Sequence, residues 1–223
     1  MLKGKGVISN FQKEILLSLK DLSDCTHFYL TGGTALAEFY LGHRRSYDLD
    51  IFTAEKDLIL PFSRLVEEKI SSEGIILRVI RRFSTFVEFE LEKDAEKTKV
   101  QFAYDSPFHF NQPEDSELGV KVNSCKDIIA DKLLAFTGRI EPRDAIDIYF
   151  ILEKEELRRL TELASQKDPG FDLYWLAVAF KKVSDFPDEL NRWPVELLVE
   201  IEIKKLKHKF SALSREIMDR IKK

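Results

Sequence analysis

The amino-acid sequence predicts an α+β fold, a mixed sheet with flanking helices followed by a C-terminal helical lobe. Three observations carry that prediction. An aromatic, β-prone run closes on the pair Gly32-Gly33 and gives way to helix-forming residues; alternating apolar and polar runs recur between Ile75 and Tyr104; and from Val122 onward the apolar spacing is helical.

Taken in order, Ile8, Phe11, Ile15, Leu16, Leu19 and Leu22 recur at helical spacing, which predicts an amphipathic helix from Ile8 to Leu22 capping the sheet. His27 to Leu30 is of strand type, the glycine pair ends it, and a helix is expected from Thr34. In Tyr47 to Phe52, alternation puts Asp48 and Asp50 on one face of a strand and Leu49 and Ile51 on the other. Asp57 to Ser71 reads as a helix that tolerates Pro61 near its first turn and stops at Gly74. Strands follow at Ile75 to Ile80, Thr85 to Leu91 and Lys99 to Tyr104, joined by Arg81-Arg82 and by the charged turn Glu92 to Lys97. Ser106 to Leu118 reads as a loop and lobe boundary, giving lobes 1–120 and 121–223. Ser124 should cap a helix from Cys125 to Phe136 that Gly138 ends, and Pro142 should open a helix running through Leu152. Glu155 to Ser165, Phe171 to Val183 and Pro194 to Lys222 complete the helical lobe.

With 223 residues, 44% of them hydrophobic, the chain can bury a sizeable core. A formal net charge of −4 argues against a general nucleic-acid coat, so any nucleic-acid contact must be local. The best candidate for an RNA-contacting surface is the last helix, with Lys204, Lys205, Lys207, Lys209 and Arg215, although a solvated face is the default for such a run. Cys25 and Cys125 have no metal-ligand spacing and suit a reducing compartment with both thiols free. No apolar run has the length of a signal peptide or membrane span, so a cytoplasmic protein is expected. His27, His109 and His208 are isolated, and Trp175 and Trp193, among apolar helical neighbours, read as core.

The chemistry concentrates between Phe28 and Phe52. A glycine turn offers backbone N–H groups to an anion such as a triphosphate, and two adjacent carboxylates repel unless a divalent cation joins them. Either feature alone is weak; together they point to a nucleotide-handling site. The run Gly32-Gly33-Thr34-Ala35-Leu36, then His43, Arg44, Ser46, Asp48, Asp50 and Phe52, closely resembles the first motif of the AbiEii/AbiGii toxin nucleotidyltransferase family, a branch of the polymerase-beta-like superfamily. Asp127 to Ala135, Arg139 and the run Arg143-Asp144-Ala145-Ile146-Asp147-Ile148-Tyr149 look like its remaining motifs, so the resemblance spans roughly Phe28 to Phe150.

The resemblance implies a nucleotidyltransferase in which Gly32, Gly33 and Thr34 cradle a nucleoside triphosphate, Asp48 and Asp50 bind Mg²⁺ or Mn²⁺, and Ser46 touches phosphate. Lys132, with Arg44 or Arg139, would neutralise the departing pyrophosphate, and Asp144 would join Asp48, Asp50 and Lys132 as a catalytic group. It further implies an acceptor that is an RNA end, tRNA-like, or a protein hydroxyl, and an antitoxin partner. The residues themselves support a role for Lys132, which leaves the apolar stripe of Ile128, Ile129, Leu133 and Phe136, whereas for Arg143 and Asp147, at i,i+4, a surface ion-pair ladder is the lesser alternative. One departure stands out. Gln101 occupies the strand position where such enzymes place a third carboxylate, leaving Asp105, Glu88, Glu90 or the helix-borne Asp144 as substitutes. The alternative reading is a catalytically inactive nucleotide-binding module, or a regulatory scaffold, of the same fold.

Overall fold

The structure is a computed structural model that describes residues 1–222. Its strands are β1 (Tyr29–Thr31), β2 (Asp48–Thr53), β3 (Ile76–Phe83), β4 (Phe86–Lys93), β5 (Glu96–Tyr104), β6 (Glu114–Asp115) and β7 (Lys121–Val122). They form a mixed seven-stranded sheet in the order β3-β4-β5-β2-β1-β7-β6. The helices are α1 (Asn10–Leu19), α2 (Gly32–Ala35), α3 (Ile59–Ser72), α4 (Cys125–Arg139), α5 (Pro142–Ile151), α6 (Leu157–Lys167), α7 (Leu173–Lys182) and α8 (Ile203–Ile221). The chain divides into two compact units, Met1–Ile128 and a second from Ile129 onward, so the division falls inside α4 rather than at residue 120.

In the first unit, β2 is the central strand, antiparallel to β1 and parallel to β5. Its two-residue period buries Leu49 and Ile51 and leaves Asp48 and Asp50 on the opposite face. Helix α3 packs across β3, β4 and β5 and shares an aromatic core with them: the Phe28 and Phe62 rings stack at 4.1 Å, and Phe102 meets Phe28, Phe62 and Phe89 edge-on. In the second unit, Phe136, Phe180 and Phe210 form the equivalent cluster, with ring centroids 5.0–6.0 Å apart. Among the described residues neither cysteine is in a disulfide, and burial, aided by the Asp21 carboxylate, pushes the Cys25 thiol up to about 11.

Several elements differ from the sequence reading, each for an identifiable reason. Helix α1 starts at Asn10 rather than Ile8 because Ser9 and Gln12 close a reciprocal capping box, and it ends at Leu19 rather than Leu22. The helix after β1 starts at Gly32 rather than Thr34, then widens from Leu36 to Leu41 into π-type bonding that ends where the Gly42 N–H reaches the Ala37 carbonyl at 2.8 Å. Arg81 and Arg82 are not a turn; β3 continues through them to Phe83, and the hairpin turns at Ser84-Thr85. Helix α4 runs through Gly138, and the left-handed backbone that ends it falls on Ile140 (φ 51), whose N–H reaches the Phe136 carbonyl. Residues 194–202 are not helical, since Pro194 and the β-branched Val195, Val199 and Ile201 disfavour it, and α8 begins at Ile203. Trp193 is buried with its indole N–H on the Pro187 carbonyl, but Trp175 is 60% exposed because the buried stripe of α7 is Leu176, Ala177, Ala179 and Phe180.

Asn123, which drew no attention as sequence, is fully buried where β7 passes into α4. Its backbone N–H donates to the Leu30 carbonyl at 2.8 Å, its Nδ2 to Thr31 Oγ1 at 3.2 Å, and its carbonyl accepts the Tyr40 hydroxyl at 2.8 Å. Its Oδ1 accepts the Ser124 N–H, and Ser124 Oγ then accepts the Asp127 N–H as the expected cap of α4. One side chain thus ties the end of β1 to the start of a helix. Asn123→Ala strands two of these buried partners and is expected to lower stability by about 2–4 kcal/mol, read as a downshift of the denaturation midpoint with unchanged denaturant slope.

Candidate active site

The acidic pair is held by its backbone. Three successive carbonyls at the entry to β2 each accept a side-chain hydrogen bond from a different element: Ser46 from Gln12 Nε2 of α1 at 2.9 Å, Tyr47 from the Thr98 hydroxyl of β5, and Asp48 from the Thr34 hydroxyl of α2. Thr34 is therefore buried as a brace for Asp48, and what it can offer a ligand is its backbone N–H. Arg44 is also buried, with Nη1 on the Arg45 carbonyl at 2.9 Å.

The glycine turn touches the acids directly. Thr31 pairs with Asp50 across β1 and β2, so the next residue, Gly32, lies against the Asp50 side chain. Gly32 has φ +68, and a Cβ there would fall 2.0 Å from Asp50 Oδ2. Both the backbone angle and the missing side chain are needed. Behind the turn, the buried Glu38 carboxylate gathers the N–H groups of Gly6, Val7 and Ile8 at 2.5–3.0 Å and pins the N-terminal segment to the helix that follows Gly32.

On the neighbouring strand, Gln101 is the register partner of Asp50, and Lys99 that of Asp48. One strand further, Glu88 is the partner of Gln101. The sequence-level substitutes for a third acid all have partners of their own. Asp105 accepts the Tyr29 hydroxyl at 2.8 Å and the Ser106 N–H at 2.7 Å. Glu88 is buried with Arg81 Nε at 3.4 Å and Lys99 Nζ at 3.7 Å, and Glu90 pairs with Arg78 at 3.1 Å. Among the described residues, no group of three or more His, Cys, Asp or Glu side chains is gathered to hold a metal. Two carboxylates on one face nonetheless fit Mg²⁺, which keeps several waters and takes its remaining ligands from substrate phosphates.

In the second unit, Lys132 leaves the apolar stripe of α4 as its spacing implies, yet it is buried rather than projecting into solvent. Its Nζ lies 2.7 Å from Asp147 Oδ2 and 3.4 Å from Asp144 Oδ1, both carboxylates being fully buried on α5. Arg139 grips Asp144 with both Nε (2.6 Å) and Nη2 (2.9 Å), and Arg143 turns to Glu141 at 2.8 Å. The surface ladder weighed for Asp147 is thus replaced by a buried ion cluster.

Comparison with known proteins fixes the family. A model described as the nucleotidyl transferase AbiEii toxin of type IV toxin–antitoxin systems matches residues 14–221. The chain belongs to the AbiEii nucleotidyltransferase toxin family. An uncharacterized protein of Aquifex aeolicus (strain VF5), aq_aa25, is 29% identical over 181 residues, covering 80% of this chain and 84% of that one. Among solved structures, a Helicobacter pylori protein described as a nucleotidyltransferase superposes with a TM-score of 0.62 at 20% identity, over 96% of this chain and 98% of that one. MenT4, a nucleotidyltransferase toxin of Mycobacterium tuberculosis H37Rv, gives 0.60 at 14% identity, over 94% and 82%.

The AbiEii model extends beyond the Phe28 to Phe150 span of the motifs and takes in α8. Three lysines of that helix are matched within their unit: Lys205 by Glu202 at 2.7 Å, Lys207 by Asp188 at 2.5 Å and Lys209 by Glu153 at 2.5 Å. No helix among the described residues is long and apolar enough to cross a membrane.

Two substitutions, with a third as reference, test this AbiEii site. Gly74 has φ +74 with nothing near a would-be Cβ, so Gly74→Ala isolates the backbone cost, about 1–2 kcal/mol. Gly32→Ala should lose clearly more in chemical denaturation, because the Asp50 carboxylate must also move. Lys132→Met leaves buried carboxylates without their ammonium and is expected to cost about 3–5 kcal/mol by the same measurement.

Proposed function

We propose that this AbiEii protein transfers a nucleoside monophosphate from a nucleoside triphosphate to an acceptor hydroxyl. The observation that carries the reading is the placement of Asp48 and Asp50 side by side on β2, against a turn that only glycine can form. In this reading the backbone of Gly32, Gly33 and Thr34 seats the triphosphate, Ser46 touches phosphate, Arg44 is a further cation for the phosphates, and Asp48 and Asp50 hold Mg²⁺ or Mn²⁺. That ion, when bound, supplies positive charge to the phosphate oxygens. The acceptor oxygen forms a bond to the α-phosphorus as the bond to pyrophosphate breaks, and its proton passes to a base.

Gln101 beside Asp50 cannot be that base. Asp144 is the proposed one, with Lys132 and Arg139 as cations for the leaving pyrophosphate; all three begin from the ion cluster, so each would exchange a partner to act. The acceptor is proposed to be an RNA end, tRNA-like, or a protein hydroxyl, the setting cytoplasmic, and the regulating partner an antitoxin, as the family's place in toxin–antitoxin systems suggests. Gln101 also favours a second reading, an inactive nucleotide-binding module of the same fold.

Incubation with each labelled nucleoside triphosphate, Mg²⁺ and total RNA, followed by separation of RNA from protein, tests both readings. Label is expected in one macromolecule, with release of pyrophosphate. Asp48→Asn and Asp50→Asn should each lower transfer by about 100-fold or more with unchanged melting. Transfer at the wild-type rate in either variant refutes the metal assignment, and nucleotide binding without pyrophosphate release selects the inactive module.

A further inference from the structure

We infer that Lys99 contacts the phosphates of the triphosphate held at Asp48 and Asp50, an inference that rests on the nucleotide-binding reading above. Lys99 is the register partner of Asp48 on the adjacent parallel strand. Register partners project from the same face, and neighbouring strands lie about 4.8 Å apart, so a four-carbon stem spans the gap to a ligand over Asp48 with length to spare.

Three features of its surroundings support the role. The Lys99 side chain is 51% exposed, and its Nζ lies 3.7 Å from Glu88 Oε1, beyond hydrogen-bond distance, so it is lightly held. Glu88 is buried and would be costly to strand, but Arg81 Nε stays 3.4 Å from its other oxygen when the lysine swings away. Finally, the site needs a cation. On the same sheet face Arg78 and Arg81 already answer Glu90 and Glu88, a triphosphate adds several negative charges, and Lys132 and Arg139 are already bound to Asp144 and Asp147 within the second unit. A lysine suits phosphate as a mobile point charge, and Gln101, two residues along on the same face, adds no competing negative charge.

The test is equilibrium binding of each of the four Mg²⁺–nucleoside triphosphates, and of the corresponding nucleosides, to wild type, Lys99→Ala, Lys99→Arg and, as a control, Arg78→Ala, which removes a cation two strands further across the same face. Lys99→Ala should weaken triphosphate binding by about 10-fold, Lys99→Arg should restore most of it, and Arg78→Ala should leave it unchanged, with melting the same in every variant because these side chains are exposed. The loss should shrink for the nucleosides, which a merely structural role would not produce. Wild-type binding that Lys99→Ala leaves intact overturns the inference while the nucleotide reading stands. No triphosphate binding by wild type overturns both.

Discussion

The contact between Gly32 and the Asp50 carboxylate is the constraint around which the first unit is arranged. It requires β1 and β2 to pair in one register only, since a shift by one residue would bring Leu49 or Ile51 to the turn and send both acids into the core. The surrounding hydrogen bonds defend that register. Gln12, Thr98 and Thr34 come from three different elements and hold three consecutive carbonyls at the entry to β2. Glu38 and Asn123 then secure the N-terminal segment and the end of β1. A site meant to place two carboxylates against a ligand needs this rigidity, because small displacements forfeit much of what positioning contributes.

The sheet face beside β2 and the α4–α5 pair handle charge in opposite ways. On the sheet, carboxylates and cations lie along an accessible face, where long side chains can change partners at small cost. On α4 and α5, Lys132, Asp144 and Asp147 are buried, so each of these charges depends on the others and losing one strands its partners. Membership of the AbiEii family makes it natural to look for chemistry in both places, yet the physical demands differ. An open cation can meet an incoming phosphate by rotation alone, whereas a buried one must first give up a bond.

Much of this was legible in the sequence where local rules dominate. The alternation through Asp48 and Asp50, the glycine break after β1, the cap at Ser124 and Pro142 at the start of α5 depend on periodicity and backbone sterics, and the structure shows them as read. What escaped depends on partners distant in the chain. The burial of Lys132 was not legible because the two carboxylates that contact it lie on the following helix. Trp175 read as core because its neighbours are apolar, though the stripe that packs passes one residue to its side. Glu38 and Asn123 went unnoticed because an isolated polar residue gives no sign of which backbone amides it will collect.

Ile140 shows what the joint between α4 and α5 demands. A β-branched residue at φ 51 stores about 1–3 kcal/mol of backbone strain, and it does so in a two-residue link between the helix carrying Lys132 and the helix carrying its carboxylates. Such a conformation persists only if its surroundings leave no alternative. The Ile140 N–H closes α4 on the Phe136 carbonyl and Pro142 reopens the chain as helix two residues later, so the turn itself returns the carboxylates of α5 to the lysine of α4.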